Sequence, residues 1–201
     1  MMYSKKELAI ALSKLKPFTS PKQRLEQYST DSEVAATILW DAYMKGDIEG
    51  KNVADLGCGT GILGIGALLL GAKKIYFVDI DESIIDLVNS NAKQAGVEDY
   101  ELVNCDVSSF DKKVDTVIMN PPFGTQRKHI DLVFLEKAAS ILMTIISLHK
   151  TSTIEYLKKW ALKNSFRVET QTFSYPLKST LSHHKKRIER IEVSALYLRK
   201  D

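Results

Sequence analysis

Four segments in the middle of the chain constrain the fold most: 53–56, 75–80, 100–105 and 114–119 each read as a strand without a two-residue alternation, with helical stretches opening at Gly61 and Glu82 between them. Strands of this kind need cover on both faces, and strands separated by helices run parallel. A fifth strand is expected at 142–148, followed by a helix at 154–162. The last two strands, 166–175 and 191–198, have no helix between them and should pair as an antiparallel hairpin. The expected fold class is therefore α/β, a seven-stranded and mainly parallel sheet with the last strand antiparallel and helices on both faces.

Ahead of the sheet, Leu8, Ile10, Ala11, Leu12 and Leu15 fit a short amphipathic helix over 5–15, ended by Pro17. Thr30 followed by Glu33 reads as a capping box for a helix running to about Lys45, where Gly46 ends it. At 201 residues with 44% hydrophobic side chains, the chain can build one well-buried domain over 1–201 and is too short for two of ordinary size. Cys58 and Cys105 stand far apart with no CxxC pair, which points away from a disulfide framework or a metal site and toward a reducing, cytoplasmic setting. The N-terminus lacks a signal-peptide core, and the apolar stretch 62–70 is too short to span a bilayer, so no membrane association is expected. The net charge of +3 is compatible with a polyanionic partner without establishing one.

Chemistry-bearing residues fall at the carboxyl ends of the expected strands. Asp55-Leu56-Gly57-Cys58-Gly59-Thr60-Gly61 follows the first strand and opens a helix, so its glycines let the backbone approach a nucleotide closely. Asp79 ends the second strand at the distance from the glycine turn expected for a carboxylate that accepts both ribose hydroxyls. After the third strand Asp106 can accept from an adenine amino group, with Ile80 and Val107 on either side of the ring. Each position also has a purely structural reading: Asp55 bracing the glycine turn, Asp81 capping the next helix, Asp106 forming a turn. Their serial order at the ends of three successive strands favours a cofactor site.

The fourth strand stops in Asn120-Pro121-Pro122-Phe123. Two prolines end ladder bonding and leave the Asn120 amide and the Pro121 carbonyl as fixed acceptors at the sheet's edge. An exocyclic amine has two hydrogens for them, and the Phe123 ring offers a flat face for a planar base. Read alone, the tetrapeptide is equally a simple turn.

Together these residues resemble the S-adenosylmethionine-dependent class I methyltransferases, Rossmann-like enzymes whose amino-methylating members carry (Asp/Asn/Ser)-Pro-Pro-(Tyr/Phe/Trp) after strand four. A closer resemblance is to the archaeal and eukaryotic methyltransferase-like family that makes N6-methyladenosine in small-subunit ribosomal RNA. It is carried by Leu25-Glu26-Gln27-Tyr28, Ala54 to Gly59, Phe77 to Glu82, Asp115 to Thr125 and Ser147-Leu148-His149-Lys150. The resemblance implies that Gln27, Thr30, Gly57, Thr60, Ile62, Asp79, Asp106 and Val107 surround the cofactor, that 1–29 supplies a helix and a covering segment, and that Asn120 to Phe123 form the catalytic motif. It also implies a small zinc-binding activator protein that adds to the edge of strand three. Ser29 stands where the family usually has proline, which leaves this segment less rigid.

The expected reaction places the Asn120 side-chain oxygen and the Pro121 carbonyl on the amine hydrogens while Phe123 stacks on the base. A base within a duplex cannot reach such a site, so the substrate is expected to be single-stranded or flipped RNA. Arg127 and Lys128, together with Lys178, Lys185, Lys186 and Arg187 in a basic loop over 178–190, are candidate phosphate contacts, with solvated charged loops as the alternative. Three rival functions remain: methylation of a protein glutamine amide, methylation of the guanine N2 amine in ribosomal RNA, and a non-catalytic cofactor-binding subunit. Phe at position 123 and the basic loop lean toward nucleic acid.

Overall fold

The computed structural model describes residues 3–124, 130–141, 144–177 and 189–200. Seven strands form one sheet: β1 (Asn52–Leu56), β2 (Lys74–Asp79), β3 (Tyr100–Asn104), β4 (Thr116–Met119), β5 (Thr144–Lys150), β6 (Arg167–Leu177) and β7 (Glu189–Arg199). Their order is β3-β2-β1-β4-β5-β7-β6, with β1 to β5 parallel and β7 antiparallel to both β5 and β6. The expected hairpin is present, and β3 is an edge strand. Of the basic loop expected at 178–190, residues 178–188 lie outside the described residues, and Glu189 and Arg190 belong to β7, where they pair with Leu177 and Pro176.

Six α-helices accompany the sheet among the described residues: α1 (Lys5–Leu12), α2 (Ser32–Met44), α3 (Ile62–Leu69), α4 (Glu82–Ala95), α5 (Ile130–Ile141) and α6 (Ile154–Lys163). Successive strand residues feed opposite faces: Val53, Ile75, Phe77 and Ile118 pack with α1 to α4, whereas Ala54, Val78, Val117 and Met119 pack with α5 and α6. Both faces of the central strands are thereby dry, which is why their residues show no polar alternation. Helix α3 lies very close to the sheet on one side and to α2 on another. A Cβ at Gly64 would stand 2.3 Å from the Phe77 ring, and one at Gly66 would stand 2.4 Å from Leu39.

Three local expectations require correction. Helix α1 stops at Leu12, capped by Ser13, so Leu15 lies beyond it. Helix α2 is capped by Asp31, not by Thr30: the Asp31 carboxylate accepts from the N–H groups of Glu33 (2.9 Å) and Val34 (3.3 Å). A carboxylate at a helix N-terminus also gains from the positive end of the helix dipole, an advantage that a hydroxyl lacks. Helix α5 was not foreseen. No helix among the described residues is long and apolar enough to cross a membrane.

Candidate active site

The parallel strands aim their carboxyl ends at one edge, and the chain turns there after each of β1 to β4. After β1, the N–H groups of Gly57 and Cys58 both donate to the Val78 carbonyl, at 2.8 and 3.1 Å, which lays the glycine turn against β2. Gly57 and Gly59 hold φ of 67° and 52°, a region that side chains disfavour, and a Cβ at Gly57 would lie 2.9 Å from the Phe134 ring. Gly59 N–H donates to Asp79 Oδ2 (3.2 Å) and Asp81 N–H to Oδ1 (3.0 Å), fixing the Asp79 carboxylate at the end of β2. Burial raises the Asp79 pKa, against the opposing pull of these backbone donors.

A cavity of about 410 Å³ opens at this edge. Of the expected cofactor residues, Gln27, Gly57, Gly59, Asp79, Ile80, Asp106 and Val107 line it. Asp106 also forms the turn that was its alternative reading, accepting from the Ser108 N–H (2.8 Å) and hydroxyl (2.6 Å). Asp55, Thr60, Ile62 and Thr30 are not among the lining residues. The buried Asp55 carboxylate accepts from Gly64 N–H at 2.9 Å, so its bracing reading holds. Burial pushes its pKa to about 8, the Gly64 bond opposing and the Asp79 charge adding to the rise. Gly61, with φ of 80°, turns the chain inward, so Thr60 and Ile62 are buried and Ile62 joins the core.

A strap from Lys22 to Thr30 crosses the cavity's margin. Lys22 Nζ (2.7 Å) and Gln27 Nε2 (2.9 Å) both meet the Asp81 carboxylate, which also accepts from Ser83 N–H as the N-cap of α4. Burial works against that carboxylate's ionisation, yet the bonds from Lys22, Ser83 and Gln27 outweigh it and bring the pKa to about 2. Within the strap, Glu26 takes the left-handed φ of 50° that follows a 3-10 turn at Gln23–Leu25. Arg24, Leu25, Glu26 and Tyr28 also line the cavity, as do Ile130, Val133 and Phe134 of α5. None of these was singled out by chemistry; the apolar spacing of Ile130, Phe134, Leu135 and Ala138 was the available signal for the helix that carries three of them.

Beyond β4, Asn120 and Pro122 line the same cavity. Asn120 Nδ2 donates to Thr30 Oγ1 at 2.9 Å, which turns Oδ1 outward as an acceptor. The hydroxyl left over from the capping role thus orients the amide. The Tyr28 hydroxyl lies 3.5 Å from Asn120 Oδ1 and 3.4 Å from the Pro121 carbonyl. Phe123 does not line the main cavity. It lines a small adjoining cleft with Tyr28, Thr30, Val34 and Leu148, its ring 4.9 Å from that of Tyr28 at 37°, with Lys150 Nζ 5.6 Å from its centroid. Arg127, Lys128, Lys178, Lys185, Lys186 and Arg187 lie outside the described residues. Among those described, no cluster of three or more His, Cys, Asp or Glu is placed to hold a metal ion.

Sheet order, terminal hairpin and a cavity at the carboxyl edge of β1 to β4 define the class I methyltransferase architecture. The same fold is seen in magnesium protoporphyrin IX methyltransferase from Synechocystis with bound SAM, at a TM-score of 0.65 and 19% identity over 84% of this chain and 79% of that one. The chain belongs to the methyltransferase small domain family, whose model matches residues 28–168. It is 40% identical to the rRNA N(6)-adenosine-methyltransferase METTL5 of Danio rerio, across 94% of this chain and 95% of that protein. The Drosophila melanogaster rRNA N(6)-adenosine-methyltransferase Mettl5 is 37% identical over 88% of this chain and 87% of its own. Among solved structures, PH1948 from Pyrococcus horikoshii superposes with a TM-score of 0.90 at 45% identity, covering 98% of both chains.

Proposed function

We propose that this protein transfers a methyl group from S-adenosylmethionine to the exocyclic N6 amine of an adenosine in small-subunit ribosomal RNA. The single observation that carries the reading is the pair of oxygen acceptors, Asn120 Oδ1 and Pro121 O, close enough together for one hydroxyl to lie within 3.5 Å of each, with Asn120 at the margin of a nucleotide-sized cavity. Full-length similarity to proteins named for this activity favours adenine N6 over guanine N2, a glutamine amide or a non-catalytic role.

The cavity suits the cofactor in size and in donor set. Asp79 would accept from the ribose hydroxyls and Asp106 from the adenine amino group, with Ile80 and Val107 against the ring, while Gly57 and Gly59 leave room for close backbone approach. Gln27 would close the cavity from the strap; Thr30, Asp55, Thr60 and Ile62 would act from behind the lining. When bound, the cofactor supplies a methyl group on sulfonium, already strongly electrophilic.

The protein's work is therefore on the nucleophile. Adenine N6 delocalises its lone pair into the ring, and accepting both its hydrogens at Asn120 Oδ1 and Pro121 O favours the tetrahedral, positively charged nitrogen of the transition state. Thr30 keeps the amide oxygen facing the amine. Pro122 fixes the turn, and Phe123 packs the base once the cleft opens. The target must be single-stranded or flipped, and Arg127, Lys128, Lys178, Lys185, Lys186 and Arg187 are the proposed phosphate contacts.

A small zinc-binding activator protein is proposed at the free edge of β3, whose backbone can extend the sheet. A cytoplasmic setting and a single domain over 1–201 accord with this reading. The deciding experiment incubates the protein with labelled S-adenosylmethionine and unmodified small-subunit ribosomal RNA, then analyses nucleosides by mass. N6-methyladenosine is expected; N2-methylguanosine, or label found only in protein, overturns the assignment.

A further inference from the structure

We infer that Tyr28 is a built-in surrogate for the target base, seated in the base's own subsite, and that the entering base must displace it. The inference rests on the amine-methylating reading above and adds a substrate gate to it. Two features coincide. The Tyr28 hydroxyl stands 3.5 Å from Asn120 Oδ1 and 3.4 Å from the Pro121 carbonyl, the two oxygens proposed to receive the amine hydrogens. Its ring lies 4.9 Å from that of Phe123, the aromatic proposed to stack on the base. An aromatic ring in tilted contact with Phe123, its polar donor directed at both acceptors, approximates the two recognition elements of a flipped adenine, and the cleft between these groups is correspondingly small, about 10 Å³.

The surrogate is weaker than the substrate it imitates. A hydroxyl has one proton to share between two acceptors, and both contacts are near the outer limit of a hydrogen bond. An exocyclic amine brings two protons, and the charge that grows on its nitrogen strengthens both bonds. The strap is fastened to Asp81 through Lys22 and Gln27, and not through Tyr28. Glu26, two residues earlier, is a non-glycine residue in the left-handed region, and Gln27 is held by side-chain bonds to Asp81 and Lys22 that a rotation at Tyr28 leaves intact. Occupation by Tyr28 keeps water from settling on the acceptors between turnovers and makes base entry a displacement.

Tyr28→Phe keeps the ring and deletes the hydroxyl that competes for the two acceptors. With unmodified small-subunit ribosomal RNA and saturating S-adenosylmethionine, it should raise kcat/KM for the RNA about two- to fivefold, the worth of one modest hydrogen bond. A residue that merely positions Asn120 would give the opposite result, so a value at or below the parent overturns the gate. A second reading does not depend on turnover. With 3-fluorotyrosine at position 28, its fluorine resonance should shift when that RNA is added to protein saturated with S-adenosylhomocysteine, and should stay unshifted with the same RNA in duplex form. An unmoved resonance with bound single-stranded RNA overturns displacement. If the parent protein methylates RNA at a group other than an exocyclic amine, the functional reading fails first, and the fluorine shift still decides whether Tyr28 leaves.

Discussion

At the scale of single residues, Asn120 and Asp79 separate chemistry from binding. Asn120→Ala should lower kcat by about a hundredfold or more, the usual cost of losing one transition-state acceptor, while calorimetry finds cofactor affinity little changed. Asp79→Ala should instead weaken cofactor binding, since its carboxylate is fixed by Gly59 and Asp81 at the cavity wall. Asp55 makes a pH-dependent prediction. Its folded pKa of about 8 lies far above the unfolded carboxylate range, because burial disfavours the charge. The folded state therefore gains from protonated Asp55 below about pH 4 and loses that gain as pH climbs to about 8. Asp55→Asn cannot ionise, so its melting temperature relative to the parent should rise across this window and level off above it. A flat difference would show that Asp55 is not buried as the neutral acid.

At the scale of elements, the cap of α2 and the edge of β3 are separately testable. Asp31→Ala should cost about 1 kcal/mol in urea unfolding, whereas Thr30→Ala should cost less stability and more activity, because its hydroxyl serves Asn120 rather than the helix. On β3, Cys105 N–H and Asp99 carbonyl face β2, so by parallel-strand alternation Leu102 turns its N–H outward. Leu102→Pro should abolish copurification of an activator protein that adds there while circular dichroism stays native. Several elements were legible because their cause is local: Asp81 capping α4, Gly61 opening α3, the antiparallel pairing of the last two strands. Others were set at a distance. Thr30 and Asp31 are both cap-forming residues, and the partner that the Thr30 hydroxyl takes instead lies 90 positions away. Helix α5 has polar residues interspersed in a weak apolar stripe, and its identity is fixed by packing Phe134, Leu135 and Ala138 into the second core.

At the scale of the whole molecule, the strand order explains why four separated sequence blocks could be read as one site: parallel strands deliver all their carboxyl ends to the same rim. Of the strap, the resemblance alone gave a covering segment within 1–29 and a place for Gln27. Arg24, Leu25, Glu26 and Tyr28 carry no spacing signal of their own, and only the folded chain shows that they line the cavity. RNA engagement is the molecular property that the +3 net charge only permits. If the basic segment beyond β6 contacts phosphates, Lys185→Ala with Lys186→Ala should weaken RNA binding and flatten its dependence on salt by about 0.7 per lost contact, measured by titration at several salt concentrations. An unchanged slope would return that segment to a solvated loop.

Gly64 and Gly66 do not line the cavity, yet the added methyl group of an alanine at either would collide with Phe77 or with Leu39. Gly64 sets the height of α3 over the sheet and Gly66 its distance from α2, and the first turn of α3 supplies the Gly64 N–H that anchors Asp55 under the glycine turn. The seat of the glycine turn is therefore set from behind, by two missing side chains, and a protein of this design can lose its alignment through a change that no inspection of its pocket would flag.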